Sequence, residues 1–163
     1  MNYVDLHVHS NASDGTLSPE EVVRYAASKN LKAMALTDHD TIAGIAQAKA
    51  AAAECGIELI PGIELSCFYQ GTEIHILGFF VDEHSEVLNA GLEHLVDIRV
   101  KRNEVMLQRF QEDGFQFTME DLTGGNPDTV ITRAHFARVL VDKGYAPNMG
   151  KAFDKYLQYG GKY

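Results

Sequence analysis

The chain has 163 residues, 45% of them hydrophobic and 23% charged, with a net charge of −9. This is the composition of a globular chain long enough to bury a core of its own. The negative charge argues against a protein that coats long nucleic acid, because such binding rests on Lys and Arg neutralising phosphates.

No apolar run approaches the roughly 20 residues of a membrane span, and the first residues carry no basic and apolar leader pattern. Cys55 and Cys67 are the two cysteines and have no C-x-x-C spacing. A cytoplasmic, reducing setting with free thiols and no membrane partner is therefore expected. Bound divalent cations are absent from the charge count, so an acidic chain that holds metal can still take a phosphate.

Taken in chain order, Tyr3-Val4-Asp5-Leu6-His7-Val8-His9 is predicted as a strand, with a turn over Asn11 to Gly15. Strand residues two apart face one side, so His7 and His9 present both imidazoles together at the C-terminal end. Asp14 can bring a carboxylate to the same place. Two such imidazoles can grip one metal ion; they also suit an edge strand with two solvated histidines.

Ser18-Pro19-Glu20-Glu21 is a helix start with Ser at the N-cap, Pro at N1 and Glu at N3. That helix is expected to run to about Lys29, with Asn30 as a left-handed stop. Leu31 to Thr37 reads as a buried strand ending at Asp38-His39-Asp40. An alanine-rich helix is predicted from Thr41 to Cys55, closing at Gly56. Ile57 to Cys67 is a third strand region, and Phe68 to Thr72 a turn into a fourth strand, Glu73 to Val81.

Strands alternating with helices imply β-α-β units and a largely parallel α/β sheet or barrel. In such folds, ligands sit beyond the carboxyl ends of the strands, where His7, His9, Asp38, His39, Asp40, Glu64 and His75 fall. From Asp82 the character turns all-helical. A long helix is predicted over 85–113 and a short one opens at Thr118; Thr132 caps another, and a last one begins at Pro147 and Asn148.

The densest cluster is Thr37-Asp38-His39-Asp40, ahead of a helix start. Asp40 or Thr41 suits an N-cap, whereas His39, between two carboxylates, suits a ligand. Glu64 lies within an apolar strand and needs a partner, since a buried unpaired carboxylate is costly; a bridging role between two ions would supply one. His75 gains weight from this company. His84 and His94 lie in polar helical surroundings and read as solvated.

These motifs together resemble the PHP (polymerase and histidinol phosphatase) family of metal-dependent phosphoesterases. The likeness rests on Asp5-Leu6-His7-Val8-His9-Ser10 with Asp14-Gly15, then Thr37-Asp38-His39-Asp40, Pro61-Gly62-Ile63-Glu64 and His75. The stretches 132–138 and 151–157 resemble the helical insertion of its branch acting on nucleotides and short RNA. The resemblance implies an α/β fold, the N-terminal part of a distorted (βα)7 barrel over residues 1–98, followed by an all-helical insertion over 99–163.

It further implies two to three divalent ions (Mn, Zn, Fe or Mg) in the intact protein. His7 and His9 would hold one, with Glu64 bridging it to a second that His75 also binds, and Asp14 and His39 would hold the third and take part in catalysis. Asp5, Asp38 and Asp40 would orient imidazoles. Such ions polarise phosphoryl oxygens and turn bound water into hydroxide, giving hydrolysis of phosphate esters of nucleotides or of short RNA or DNA 5′ ends.

Arg133 and His135 occupy the first turn of a helix, whose free N–H groups and dipole favour an anion. Arg adds a bidentate fork, so both are candidates for the substrate phosphate; an ordinary solvated helix start is the alternative. Arg99 and Arg102 are weaker candidates. The family also completes its site with a His-Pro histidine and a final Asp-x-His, neither of which follows here. The expectation is a fragment of a longer protein that binds at most one or two ions and catalyses poorly by itself. The competing readings are a metal-dependent amidohydrolase, which also carries H-x-H on a first strand, and a non-catalytic metal-binding module.

Overall fold

The computed structural model describes residues 3–158 and 160–163. Two compact units divide the chain, Met1–Leu95 and Val96–Tyr163. The first is α/β: β1 (Tyr3–Val8), α1 (Pro19–Ser28), β2 (Leu31–Leu36), α2 (Ile45–Cys55), β3 (Glu58–Tyr69) and β4 (Thr72–Phe79). The four strands form one sheet in the order β1-β2-β3-β4. The first three are parallel, as β-α-β units require, whereas β4 pairs antiparallel with β3. A two-residue hairpin makes that reversal: Gln70 and Gly71 have φ of 50° and 79°, the paired positive values of a type I′ turn.

Local chemistry sets the elements of this unit. The Ser18 side chain accepts from Glu21 N–H while Glu21 reaches back to Ser18 N–H, a complete capping box for α1. Asn30 follows α1 in the left-handed region, with φ 61°. One face of α1 (Val22, Val23, Ala26) and the alanines Ala48, Ala51 and Ala52 of α2 pack with Met34, Leu36 and Ile57 into a core. The small alanine side chains allow α2 to approach closely.

The expected helix start at Thr41 is corrected. α2 begins at Ile45, its N-cap is Gly44, and no side chain caps it. Asp40 is spent elsewhere: it adopts φ 52°, its N–H donates to Glu64 O at 3.0 Å, and its Oδ1 accepts the Ser66 N–H at 2.9 Å. The capping alternative for Asp40 therefore fails because β3 claims both its backbone and its carboxylate.

α3 (Glu86–Glu112) starts in the first unit and continues into the second, which adds α4 (Met119–Thr123), α5 (Arg133–Asp142) and α6 (Met149–Ala152). α6 runs on into a π-helical turn, Phe153–Leu157. Thr118 and Thr132 each close a capping box. This unit has its own core, in which Phe110, Phe136 and Leu140 are fully buried. Phe110 sits at its centre, with ring centroids 5.1, 5.4 and 5.9 Å from Phe115, Phe117 and Phe136. Among the described residues, no helix is long and apolar enough to cross a membrane.

Candidate metal centre

The parallel pairing brings the polar ends of β1 and β2 level with the middle of β3. Val8 pairs with Leu36, Thr37 N–H donates to Val8 O at 2.8 Å, and His39 bridges Glu64. Seven buried polar residues gather there: Ser10, Ser13, Thr37, Asp38, His39, Asp40 and Glu64. Burial of most of these polar groups is tolerated because they satisfy one another, with His39 Nδ1 the exception.

Asp38 shows how. Its Oδ1 accepts Ser10 N–H at 2.7 Å and the Ser13 hydroxyl at 2.6 Å, and its Oδ2 accepts the Ser10 hydroxyl at 2.6 Å. The carboxylate thus folds the turn after β1 against the end of β2. Among the described residues, its link to an imidazole runs through Ser13, whose Oγ lies 3.5 Å from His9 Nδ1. Gly15 completes the turn, since a Cβ there would lie 2.5 Å from His9 O. Asp5 is exposed and accepts the His7 backbone N–H at 3.1 Å. Two hydroxyls, Ser10 and Ser13, in the turn after H-x-H are the sequence signal for this arrangement around Asp38.

Glu64 is where the histidines meet. Its Oε2 lies 2.8 Å from His7 Nε2, 2.9 Å from His9 Nε2 and 3.6 Å from His39 Nε2, and its Oε1 lies 2.9 Å from His75 Nδ1. Asp14 stands 3.1 Å from His9 Nδ1 and 3.6 Å from His39 Nε2. The rings form a chain, with centroids 5.0 Å apart for His7–His9 and 4.8 Å for both His9–His39 and His39–His75. Glu73, read from the sequence only as the start of a strand, reaches to 3.8 Å from His75 Nε2.

Three overlapping groups result: His7, His9 and Glu64; His9, Asp14 and His39; His39, Glu64 and His75. In each, the donor atoms lie within 4.8 Å of one another. Donors around an ion bound at about 2.1 Å sit roughly 3–3.4 Å apart, and the carboxylate–imidazole spacings of 2.8–3.6 Å bracket that range. His39 Nδ1 is buried with no hydrogen-bond partner, an omission that protein interiors rarely leave. The imidazole and carboxylate donors suit Zn, Fe or Mn, and the site fits divalent cations.

The electrostatics divide the ligands: His39 and Glu64 are held in the forms that bind metal, whereas the carboxylates beside His9 favour its protonated form. Burial lowers the His39 pKa further than Asp14 and Glu64 raise it, and the neighbouring His9 and His75 lower it too, so the ring is held neutral. Burial would likewise lower His9, but the hydrogen bond and charge of Asp14, with the charges of Glu64 and Asp38, carry it above its ordinary value. Burial alone would raise Glu64; the His7 hydrogen bond and the charges of His39, His7 and His9 outweigh it and hold the carboxylate ionised.

The remaining sequence candidates lie in the second unit. Arg133 is the first residue of α5 and half-buried. His135 is buried, and its Nδ1 accepts the Thr132 N–H at 3.0 Å, closing the cap of that helix. Arg99 is buried and Arg102 half-buried, with Arg102 Nη2 donating to Asn103 Oδ1 at 2.8 Å. His84 and His94 are exposed, as expected.

Comparison with known proteins agrees with the geometry. The chain is 43% identical over 156 residues to a 5′-3′ exoribonuclease of Haemophilus influenzae, covering 96% of this chain and 57% of that protein. It is 39% identical over 162 residues to a 3′,5′-nucleoside bisphosphate phosphatase of Chromobacterium violaceum, covering 98% and 56%. A structure described as an amidohydrolase from Chromobacterium violaceum, with bound sulfate and no metal, superposes with a TM-score of 0.90 at 38% identity, over 96% of this chain and 56% of that one. The chain thus spans just over half the length of the curated relatives it matches. The PHP domain matches residues 5–161, and the chain belongs to the PHP domain family.

Proposed function

We propose that the protein is a metal-dependent phosphoesterase that hydrolyses phosphate esters of nucleotides or of the 5′ ends of short oligonucleotides. The observation that carries this reading is Glu64, a buried carboxylate facing four imidazoles, with Asp14 beside two of them. Two similar proteins are named for action on ribonucleic acid and on a nucleoside bisphosphate, and this chain is assigned the same substrate class.

In this reading, His7, His9 and Glu64 would hold one divalent ion, His39, Glu64 and His75 a second, and Asp14 with His39 and His9 a third. When bound, such ions supply Lewis acidity toward phosphoryl oxygens and bring the pKa of water close to neutrality. The protein's own part is to keep His39 neutral and Glu64 ionised, and to fix both through the strand ends. Asp38 secures the turn that carries Asp14, and Asp40 fixes β3 at Ser66. Arg133 is assigned to the substrate phosphate, supported by its place at the capped start of a ten-residue helix. His135 is assigned to the same helix start, where its ring holds the cap.

The test is hydrolysis by the intact protein, with Mn²⁺, of nucleoside monophosphates, nucleoside 3′,5′-bisphosphates and short RNA. Metal-dependent release of phosphate or nucleotide is expected. Turnover no higher than that of the His7→Ala/His9→Ala double variant would refute the reading.

A further inference from the structure

The geometry points to Phe68 as a stacking platform for the substrate's nucleobase, on the β3–β4 hairpin beside the metal cluster. This inference rests on the nucleotide reading above. Along β3, side chains alternate, so Glu64, Ser66 and Phe68 share one face of the sheet. Their cross-strand partners on that face are Leu77, His75 and Glu73. Contacts join the row: Glu64 Oε1 lies 2.9 Å from His75 Nδ1, and His75 Nε2 lies 3.8 Å from Glu73 Oε1. Phe68, opposite Glu73, is the next member.

The spacing is the second argument. The Phe68–Glu73 pair lies two residues beyond Ser66–His75, about 7 Å at the rise of a strand. That is the order of the separation between a nucleotide's phosphate and its base. A phosphate on an ion held by His75 would therefore have a flat aromatic ring within reach of its own base, whereas Glu64, four residues from Phe68, lies about 14 Å away by the same rise.

Phe68 is also 58% exposed, so its ring is open to the solvent side of the hairpin. The hairpin is in register from Gly62–Phe79 to Tyr69–Thr72, and the Ser66 N–H bond to Asp40 anchors it at 2.9 Å. Tyr69 is 64% exposed but alternates to the opposite face, away from Glu64 and His75. Base-on-aromatic stacking tolerates any base and is removed by truncating the ring.

The experiment measures binding and turnover of adenosine 3′,5′-bisphosphate and of its abasic counterpart, 1-deoxyribose 3,5-bisphosphate, by the intact protein with Mn²⁺. Phe68→Ala should raise Kd and KM for the adenosine compound about tenfold to a hundredfold and leave those for the abasic compound within twofold. Phe68→Tyr should retain the preference, and Phe68→Leu, which keeps an apolar side chain in the hairpin, should lose it. Metal content should match the wild type in all three. Equal losses on both compounds would mark Phe68 as a packing residue and overturn the inference, as would an unchanged preference. Base-dependent binding that Phe68→Ala abolishes, in a wild-type protein without turnover, would uphold the platform and refute the phosphoesterase reading.

Discussion

The Ser10 hydroxyl donates to Asp38 Oδ2 at 2.6 Å, tying the turn after β1 to the end of β2 through a contact buried on both sides. Ser10 N–H and the Ser13 hydroxyl bind the other oxygen. The two ligand-bearing strand ends are therefore held together by one carboxylate, whatever occupies the cluster.

Removing that carboxylate should be costly. Asp38→Ala leaves three buried donors without an acceptor, and the expected loss is roughly 3 kcal/mol. Asp38→Asn retains one acceptor oxygen and should cost about 1 kcal/mol. Urea unfolding of the intact variants measures both, and an Asp38→Ala variant as stable as wild type would contradict the assignment.

The overlap of the ligand groups makes a second expectation. Glu64, His9 and His39 each belong to two groups, whereas His7, Asp14 and His75 each belong to one. Glu64→Ala should therefore strip more metal than His75→Ala, as read by elemental analysis after dialysis. Chelation should also lower the unfolding midpoint, since metal at a hundred times its Kd stabilises one site by about 2.7 kcal/mol. Equal metal loss in the two variants would count against a shared Glu64.

Arg133 should affect substrate and spare metal. A charge-assisted contact to phosphate is worth about 1.5–3 kcal/mol, so Arg133→Ala should lower kcat/KM roughly ten- to a hundredfold. Steady-state kinetics beside metal analysis tests it; unchanged kinetics would leave Arg133 an ordinary helix-start residue.

The helical unit carries a pH-dependent contact of its own. The Lys143 ammonium, 2.9 Å from Asp121, and the Thr118 N–H lower the Asp121 pKa below its ordinary 3.8. A carboxylate depressed on folding stabilises above its unfolded pKa and loses that contribution as pH falls through the folded one. Asp121→Asn should thus destabilise at neutral pH, with the difference from wild type shrinking below about pH 4. Denaturation curves at neutral pH and at pH values spanning that window measure it; a difference constant with pH would remove the linkage.

Much of this was legible before any coordinates. The capping box at Ser18, the cap at Thr132, the stops at Asn30 and Gly56, and the pairing of His7 with His9 depend on neighbours within a few residues or on the two-residue period of a strand. The sequence by itself determined those features because their physics is local. The family resemblance implied that Glu64 joins His7, His9 and His75. Only the tertiary structure decided that it meets them directly and His39 as well, because His7 and Glu64 lie 57 positions apart and sheet register brings them together. It also decided that Asp38 binds two serines, and that Asp40 joins β3 and leaves α2 to start at Ile45. A short polar side chain can serve a local cap or a distant backbone equally well. Which one it serves depends on whether a neighbouring strand offers an N–H at that level, and at Ser66 β3 does.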